Sequence, residues 1–435
     1  MELLPSLLSG LKATCAAFPD PRQGRTGNIA MADFGLSAFA MFFMQSVSFL
    51  AFQRRLEQGY GRSNCQTLFG IKKIPSDNYI RTMLDGADPA LLQPCFAHVE
   101  ELLTEPPVRQ AFARLGGRII VALDGTEYFR SEKLGCGNCL TCKHSNGKID
   151  HYHTLLAATV VAPGHSKVIP LFPEFIVTQD GAEKQDCERN AVKRWYEKHG
   201  ERLRPSRPVY LGDDIFACQP IAKMLKDNGD DFIFTAKESS HKALYDFMAG
   251  AEPERHEVKV RKRKSTETRR YHWFQDVPLR DGKDAMLVNW IGMEIADAKG
   301  KVKFSTAWVT SLPVSKYNVA DIADAGRSRW KIENESFNVM KNHGYELEHN
   351  FGHGEKFLAM TLAAFNLLAF AWHTVLDLVE PPWQAAREAV AKRTTFFGDL
   401  LTLTTYIVFP SWQVFLEAIA TSKIPPELLK IQKIE

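Results

Sequence analysis

Two uncharged apolar stretches stand out along the chain, Phe34 to Phe52 (FGLSAFAMFFMQSVSFLAF) and Phe357 to Leu376 (FLAMTLAAFNLLAFAWHTVL). Each is long enough to cross a bilayer. The first contains Ser37, Gln45, Ser46 and Ser48, the second contains Asn366 and His373, and dense charge flanks both. The pattern therefore predicts buried core helices and no membrane partner. Residues 1–115 read mainly as helix. Within them Pro75-Ser76-Asp77 starts a helix, NYIRTMLDG, that Gly86 stops. A short helix, a turn and this second helix, with Lys72, Lys73, Tyr79 and Arg81 nearby, suit a DNA-binding region. A plain helical bundle with solvated charges fits the same pattern.

The period changes at Gly116-Gly117. RIIVALDGTEYF, YHTLLAATVVAP and KVIPLFPEFIV are strand-like, CERNAVKRWYEKHGERL is a charged amphipathic helix, and PVYLGDDIF and DFIFTAKE are further strands. Residues 116–250 thus predict an α/β domain, a mixed sheet with flanking helices. Residues 251–315 hold four strand-like runs with alternating charge and predict a β-rich insertion. Helical pattern returns over 316–380 and continues through a C-terminal helical region, 381–435.

Composition narrows this picture. With 435 residues, 45% apolar and 24% charged, the chain is neither disordered nor fibrous. Eight cysteines are too few for a disulfide scaffold. The opening MELLPSLLSGLKATC lacks the charged start and long apolar run of a secretion signal, which points to a cytoplasmic protein with reduced thiols. The formal net charge is only +3, but it is unevenly spread: Arg255–Arg270 carries +6 and Arg189–Arg207 carries +5, leaving −8 for the rest. Such segregation suits a phosphate-binding face, centred on Arg261, Lys262, Arg263 and Lys264. Tyr271, His272 and Trp273 beside that run could meet bases or belong to the sheet core.

Three acids are placed for chemistry. Asp124 ends one apolar strand (VALDGT), Asp213 ends another (YLGDD), and Glu333 lies in a helical segment (RWKIEN). Carboxylates at strand ends and on an adjoining helix can converge, and hard oxygen ligands suit Mg²⁺ or Mn²⁺. Two such ions would support in-line displacement at a phosphodiester. Asp214 competes with Asp213 and Glu335 with Glu333. Adjacent strand residues face opposite ways, and residues two apart on a helix diverge by roughly 200°.

Taken in order, DGT, LGDDIF and RWKIENESFNVMKN after a β-rich insertion resemble the DDE transposases of bacterial insertion sequences. More narrowly, they resemble the cut-and-paste group with the signature Tyr-x2-Arg-x3-Glu-x6-Lys. The resemblance covers about residues 118–375. It implies an RNase H-like fold and double-stranded DNA as partner, both the element's terminal repeats and its target. It also implies two Mg²⁺ or Mn²⁺ ions, a homodimer on DNA, and Asp124, Asp213 and Glu333 as the catalytic acids. Arg329 matches the signature arginine, four residues before Glu333, where a helix puts both on one face. Gly326 stands where the signature has tyrosine, and Lys341 lies eight residues after Glu333 where the signature has seven.

A second cluster is independent of the acids. Cys136, Cys139 and Cys142 form CxxCxxC in a Gly/Asn-rich loop, with His144, His151 and His153 close behind and Cys187 further on. This predicts a structural zinc site on Cys136, Cys139 and Cys142, with Cys187 a candidate for a fourth ligand that the spacing leaves open; an iron–sulfur cluster or a free-thiol loop fits the same spacing. His349 and His353 have HxxxH spacing, but Gly352 and Gly354 argue for a turn packed near the active-site helix, not for a ligand helix.

Overall fold

The computed structural model describes residues 3–23, 27–46, 48, 51, 63–178, 187–261 and 266–429. The apolar run after Gly117 forms β1 (Ile120–Ser131), whose first four residues are buried on both faces, as an interior strand requires. β1 pairs antiparallel along its whole length with β3 (Ile149–Val161), from Ile120↔Val161 to Ser131↔His151. The far side of β3 is lined in turn by β2 (Leu140–Lys143), β5 (Glu174–Ile176) and β4 (Ile169–Pro170). On the other side of β1, β6 (Val209–Gly212) and β7 (Asp231–Thr235) run parallel to it. The helices Glu188–Leu203 and Gln219–Asp227 make the crossovers that parallel strands need. Antiparallel strands followed by two parallel ones, with helices over the sheet, form the expected RNase H-like α/β fold.

The insertion extends this sheet. β8 (Glu254–Arg261), β9 (Thr266–Pro278), β10 (Leu287–Ala296) and β11 (Val302–Thr310) form a meander. β11 pairs antiparallel with β7, Trp308 opposite Thr235. Among the described residues one eleven-stranded sheet results, nine strands in the order β2-β3-β1-β6-β7-β11-β10-β9-β8, with β4 and β5 as further partners of β3. Tyr271 and Trp273 are both buried, so of the two readings for these rings the sheet core is the one realised.

The apolar stretches become core helices. Met31–Phe43 is buried along its length. Leu358–Val379 has the length and hydropathy of a membrane span, yet 83% of its most apolar window is buried against protein. The two pack together, with the Phe39 and Trp372 rings 4.6 Å apart. Two polar residues of the second helix are tied into this layer: Asn366 donates to the Tyr345 carbonyl at 2.8 Å, and His373 bridges Tyr345 Oη and the Phe43 carbonyl. The C-terminal helices join the same layer, since Asn64 donates to the carbonyls of Thr404 and Ile407, and the Trp412 indole to that of Leu68.

A short helix, Asn64–Phe69, a turn and a second helix, Asp77–Leu84, do occur in the N-terminal region. The second is anchored inward: Tyr79 meets the Phe34 ring edge-on at 4.8 Å, and Arg81 Nε donates to the Phe351 carbonyl at 2.8 Å. These two residues are committed to packing, while the side chains of Lys72 and Lys73 remain exposed.

Candidate functional site

β1 and β6 are in register through Ala122↔Leu211. Asp124 and Asp213 each lie two residues further on, side by side where the pairing of the two parallel strands stops: Asp213 follows the end of β6, whereas Asp124, expected to end its strand, lies within β1, which continues along β3 to Ser131. Asp124 Oδ1 accepts the Gly125 N–H at 3.0 Å, and Asp213 Oδ1 accepts the Ile215 N–H at 3.0 Å. Glu333 comes from the helical segment after the insertion. Arg329 joins it to the strands, with Nη1 3.2 Å from Asp124 Oδ2 and Nη2 2.6 Å from Glu333 Oε1.

A fourth carboxylate completes the group, one that sequence reasoning passed over. Glu188 opens the helix Glu188–Leu203, where the helix dipole favours an anion. Its carboxylate lies against the Cα of Gly125, in space that any β-carbon at 125 would occupy. The glycine of DGT therefore admits Glu188 beside Asp124. The only sequence signal was an acid at a predicted helix start, and that is too common to single out.

Crowding of negative charge is visible in the acids' ionisation. Burial pushes Asp124 up from 3.8 to about 7, and Glu333, Asp213 and Glu188 add to the rise against the opposing pull of Arg329. Burial and Asp213 likewise raise Glu188. This gives a stability prediction with a definite sign. Without divalent metal, Asp124 keeps its proton in the folded chain between about pH 4 and about pH 7, where the unfolded chain has lost it. Stability from this group is full below that window and is lost as pH rises through it. Thermal unfolding in chelator should therefore fall more steeply with pH for the wild type than for Asp124→Asn; equal slopes would contradict it.

The competing acids lie elsewhere. Asp214 accepts the Lys237 N–H at 2.6 Å and approaches His241 Nε2 at 3.3 Å, holding the turn after β7. Glu335 lies beside Lys331 and lines a cavity with Lys167, Arg387 and Arg393. Both are turned away from the group around Asp124.

The helical segment itself departs from expectation. Ile332–Phe337 is π-helical and is followed by a short α-turn, Asn338–Asn342. A π turn takes up one extra residue, so Lys341, eight residues after Glu333, comes back near the angular position of a seven-residue spacing on a regular α-helix. Its Nζ lies 2.7 Å from Glu348 Oε1. Gly326 has its own explanation: a Cβ there would lie 2.8 Å from the Trp308 indole and 3.1 Å from Ile233 Cγ2. β11 packs its tryptophan where a side chain at 326 would stand.

The family model described as the transposase DDE domain matches residues 143–368, just over half of the chain. The chain belongs to the DDE transposase family. The match spans Asp213, Arg329 and Glu333 and begins after Asp124, whose place in the site rests on its strand position beside Asp213. No curated protein matches the chain. As a DDE transposase it is a DNA-acting enzyme, and Asp124, Asp213 and Glu333 offer the hard carboxylate oxygens that divalent metals take.

The basic residues divide into two kinds. Within Arg189–Arg207, Arg194 and Lys198 both bind the buried Glu174, at 2.7 and 2.8 Å, and Arg202 binds Glu100 at 2.9 Å. Much of that positive run is thus neutralised inside the fold. In β8, Arg255, Lys259 and Arg261 alternate outward and are exposed. Lys262, Arg263 and Lys264 lie outside the described residues.

The cysteines also regroup. Cys136 and Cys139 are brought together with His153 of β3 and with His353. Cys142 sits in β2 opposite Asp150, and Cys187 is exposed as the cap before Glu188; neither belongs to that group. The glycine-rich turn around His353 is present as expected, with Gly354 at φ +68°, but its histidine is turned into the cysteine cluster.

Proposed function

We propose that this transposase cuts the ends of a mobile DNA element and joins them to target DNA, with Asp124, Asp213 and Glu333 as the catalytic acids and metal ligands. The observation that carries this reading is that Arg329 bridges Asp124 and Glu333 while Asp213 and Glu188 lie near enough to Asp124 to raise it by their charge. Two Mg²⁺ or Mn²⁺ ions held there would supply an activated attacking oxygen and neutralise charge on the scissile phosphate. Water attacks a phosphodiester at the element's end, and the freed 3′-hydroxyl then attacks a target phosphodiester. Arg329, which bridges two acids here, offers the planar fork that binds a phosphate oxygen pair. Glu188, beside Gly125, adds its charge to the group and would help position the same ions. Lys341 extends the phosphate-binding edge. Work on two element ends favours a homodimer on double-stranded DNA.

The test is incubation with DNA carrying the gene's own flanking terminal repeats, with Mg²⁺, and sizing of the products. Cut ends joined to target support transposition. Cutting alone would reduce the reading to a nuclease, and binding without cutting to an inactive DNA-binding protein.

The insertion supplies a remote contact. Six strand steps at about 4.8 Å place β8 about 29 Å from β1, the length of roughly nine base pairs at 3.4 Å each. Arg261, which ends β8, would hold phosphate there, and Lys262, Arg263 and Lys264, which follow it in the sequence, are proposed as further phosphate contacts. Replacing all four with Gln should weaken binding to every sequence alike and flatten the log–log salt dependence by ~0.9 per lost contact. An unchanged slope would remove this stretch from the DNA interface.

A further inference from the structure

The cluster of Cys136, Cys139, His153 and His353 lies apart from the acids and is not needed for phosphodiester chemistry. Its geometry is specific. The two sulfurs are 3.7 Å apart, the two Nε2 atoms are 3.3 Å apart, and His153 Nε2 lies 3.5 and 3.4 Å from the sulfurs of Cys136 and Cys139. Cys139 Sγ is 3.3 Å from His353 Nε2, and all four ligand atoms fall within 4.8 Å of one another. A tetrahedral zinc with bonds of about 2.3 Å to sulfur and about 2.05 Å to nitrogen has edges of about 3.8 Å (S–S), about 3.3 Å (N–N) and about 3.5 Å (S–N). The observed separations are those edges.

The surroundings prepare the same site. His353 Nδ1 is 2.9 Å from the Gly354 carbonyl oxygen. That contact requires the proton on Nδ1 and leaves the Nε2 lone pair free to bind a metal. His153 and His353 are buried, and their Nε2 atoms face each other at 3.3 Å, a separation that suits a cation held between two lone pairs. Phe129 and Tyr128 cover the rings, Phe129 at 4.5 Å from His353 and Tyr128 stacked on His153 at 5.6 Å. Two thiolates and two imidazoles in a tetrahedron of which only the half-buried Cys136 reaches solvent select zinc as a structural ion.

We propose that Cys136, Cys139, His153 and His353 bind one structural Zn²⁺, which clasps the segment following the Glu333 helix to the β1–β3 end of the sheet. Other contacts converge on the same junction. Asn138 Nδ2 donates to the Lys356 carbonyl at 2.7 Å, and Asp85 accepts the N–H groups of Glu355, Lys356 and Leu358. The ion would thus close a link between residues some 200 positions apart, and it would hold the chain where it leaves the catalytic helix and enters Leu358–Val379.

The test is elemental analysis of full-length protein purified without chelator. About one zinc per chain is expected. Cys142→Ser and Cys187→Ser should each retain it, whereas Cys139→Ser and His353→Asn should lose it. Should those last two variants not fold, the wild type still decides: a mercurial that titrates thiols should release zinc in step with modification of Cys136 and Cys139. Zinc removal should also speed hydrogen exchange over 351–357 while leaving β6 and β7 unchanged. Protein that neither carries nor takes up zinc, or that carries iron instead, would overturn the proposal. So would zinc that survives His353→Asn and leaves with Cys142→Ser or Cys187→Ser.

Discussion

Asp124→Ala, Asp213→Ala and Glu333→Ala should each lower DNA cleavage and joining by at least 10²–10³-fold, on the order of the loss when one group that stabilises transition-state charge is removed. Both steps should fall together, because one set of ligands serves both displacements. The fold should survive. Asp124 is already raised to about 7 by burial and by neighbouring acids, so removing any member relieves repulsion, and stability without metal should hold or rise. DNA binding, carried largely by separate basic residues, should persist. Asp214→Ala and Glu335→Ala are the controls, since Asp214 is bonded to Lys237 and Glu335 lies beside Lys331. Glu188→Gln should fall between, with a loss on the order of tenfold to a hundredfold, typical of groups that orient metal ligands. Wild-type rates from folded, DNA-bound Asp124→Ala and Glu333→Ala proteins would remove the catalytic assignment. An inactive Asp214→Ala beside an active Asp213→Ala would move the site by one residue.

Gly326→Tyr, which restores the family's signature residue, should damage this protein. A Cβ at 326 already meets the Trp308 indole at 2.8 Å and Ile233 at 3.1 Å. Trp308 is itself buried, on a strand paired on both sides with β7 and β10, so its backbone is held in place and its indole stays over Gly326. Overpacking of this kind costs about 1–3 kcal/mol for a few added atoms; a whole phenol ring should exceed that and appear as insoluble protein or a markedly lower denaturant midpoint. Gly326→Ala should be milder. Trp308→Ala should partly rescue Gly326→Tyr, a non-additivity expected only if the two side chains compete for one space. A Gly326→Tyr protein as stable as the wild type would show that β11 does not fill this position.

What the sequence made legible follows from where the information lies. Asp124 and Asp213 could be picked out because an apolar run ending in an acid is a local pattern, and their neighbouring strands bring them together. Glu188 could not, because its role depends on Gly125 lying beneath it in the folded sheet. The RNase H-like order of strands was readable from alternating strand and helix runs, but not that the insertion continues the main sheet through β7 and β11. The charge run Arg189–Arg207 looked like a DNA surface because its partners, Glu174 and Glu100, are distant in sequence. His353 was equally hidden: HxxxH on a turn suggested packing, and only the fold carries it to Cys139. Lys341 is the converse case. Its eight-residue offset from Glu333 looked like a departure, and the π turn at Ile332–Phe337 absorbs it.

Asp124, Asp213 and Glu333 are proposed to form one divalent-cation site. The most direct measurement is Mn²⁺ titration of the protein bound to terminal-repeat DNA, following the free-ion signal by electron paramagnetic resonance. Wild type, Asp214→Ala and Glu335→Ala should remove Mn²⁺ from solution equally, while Asp124→Ala, Asp213→Ala and Glu333→Ala should bind it at least tenfold more weakly, as expected when a ligand is lost. Equal Mn²⁺ binding by all six proteins would contradict the account.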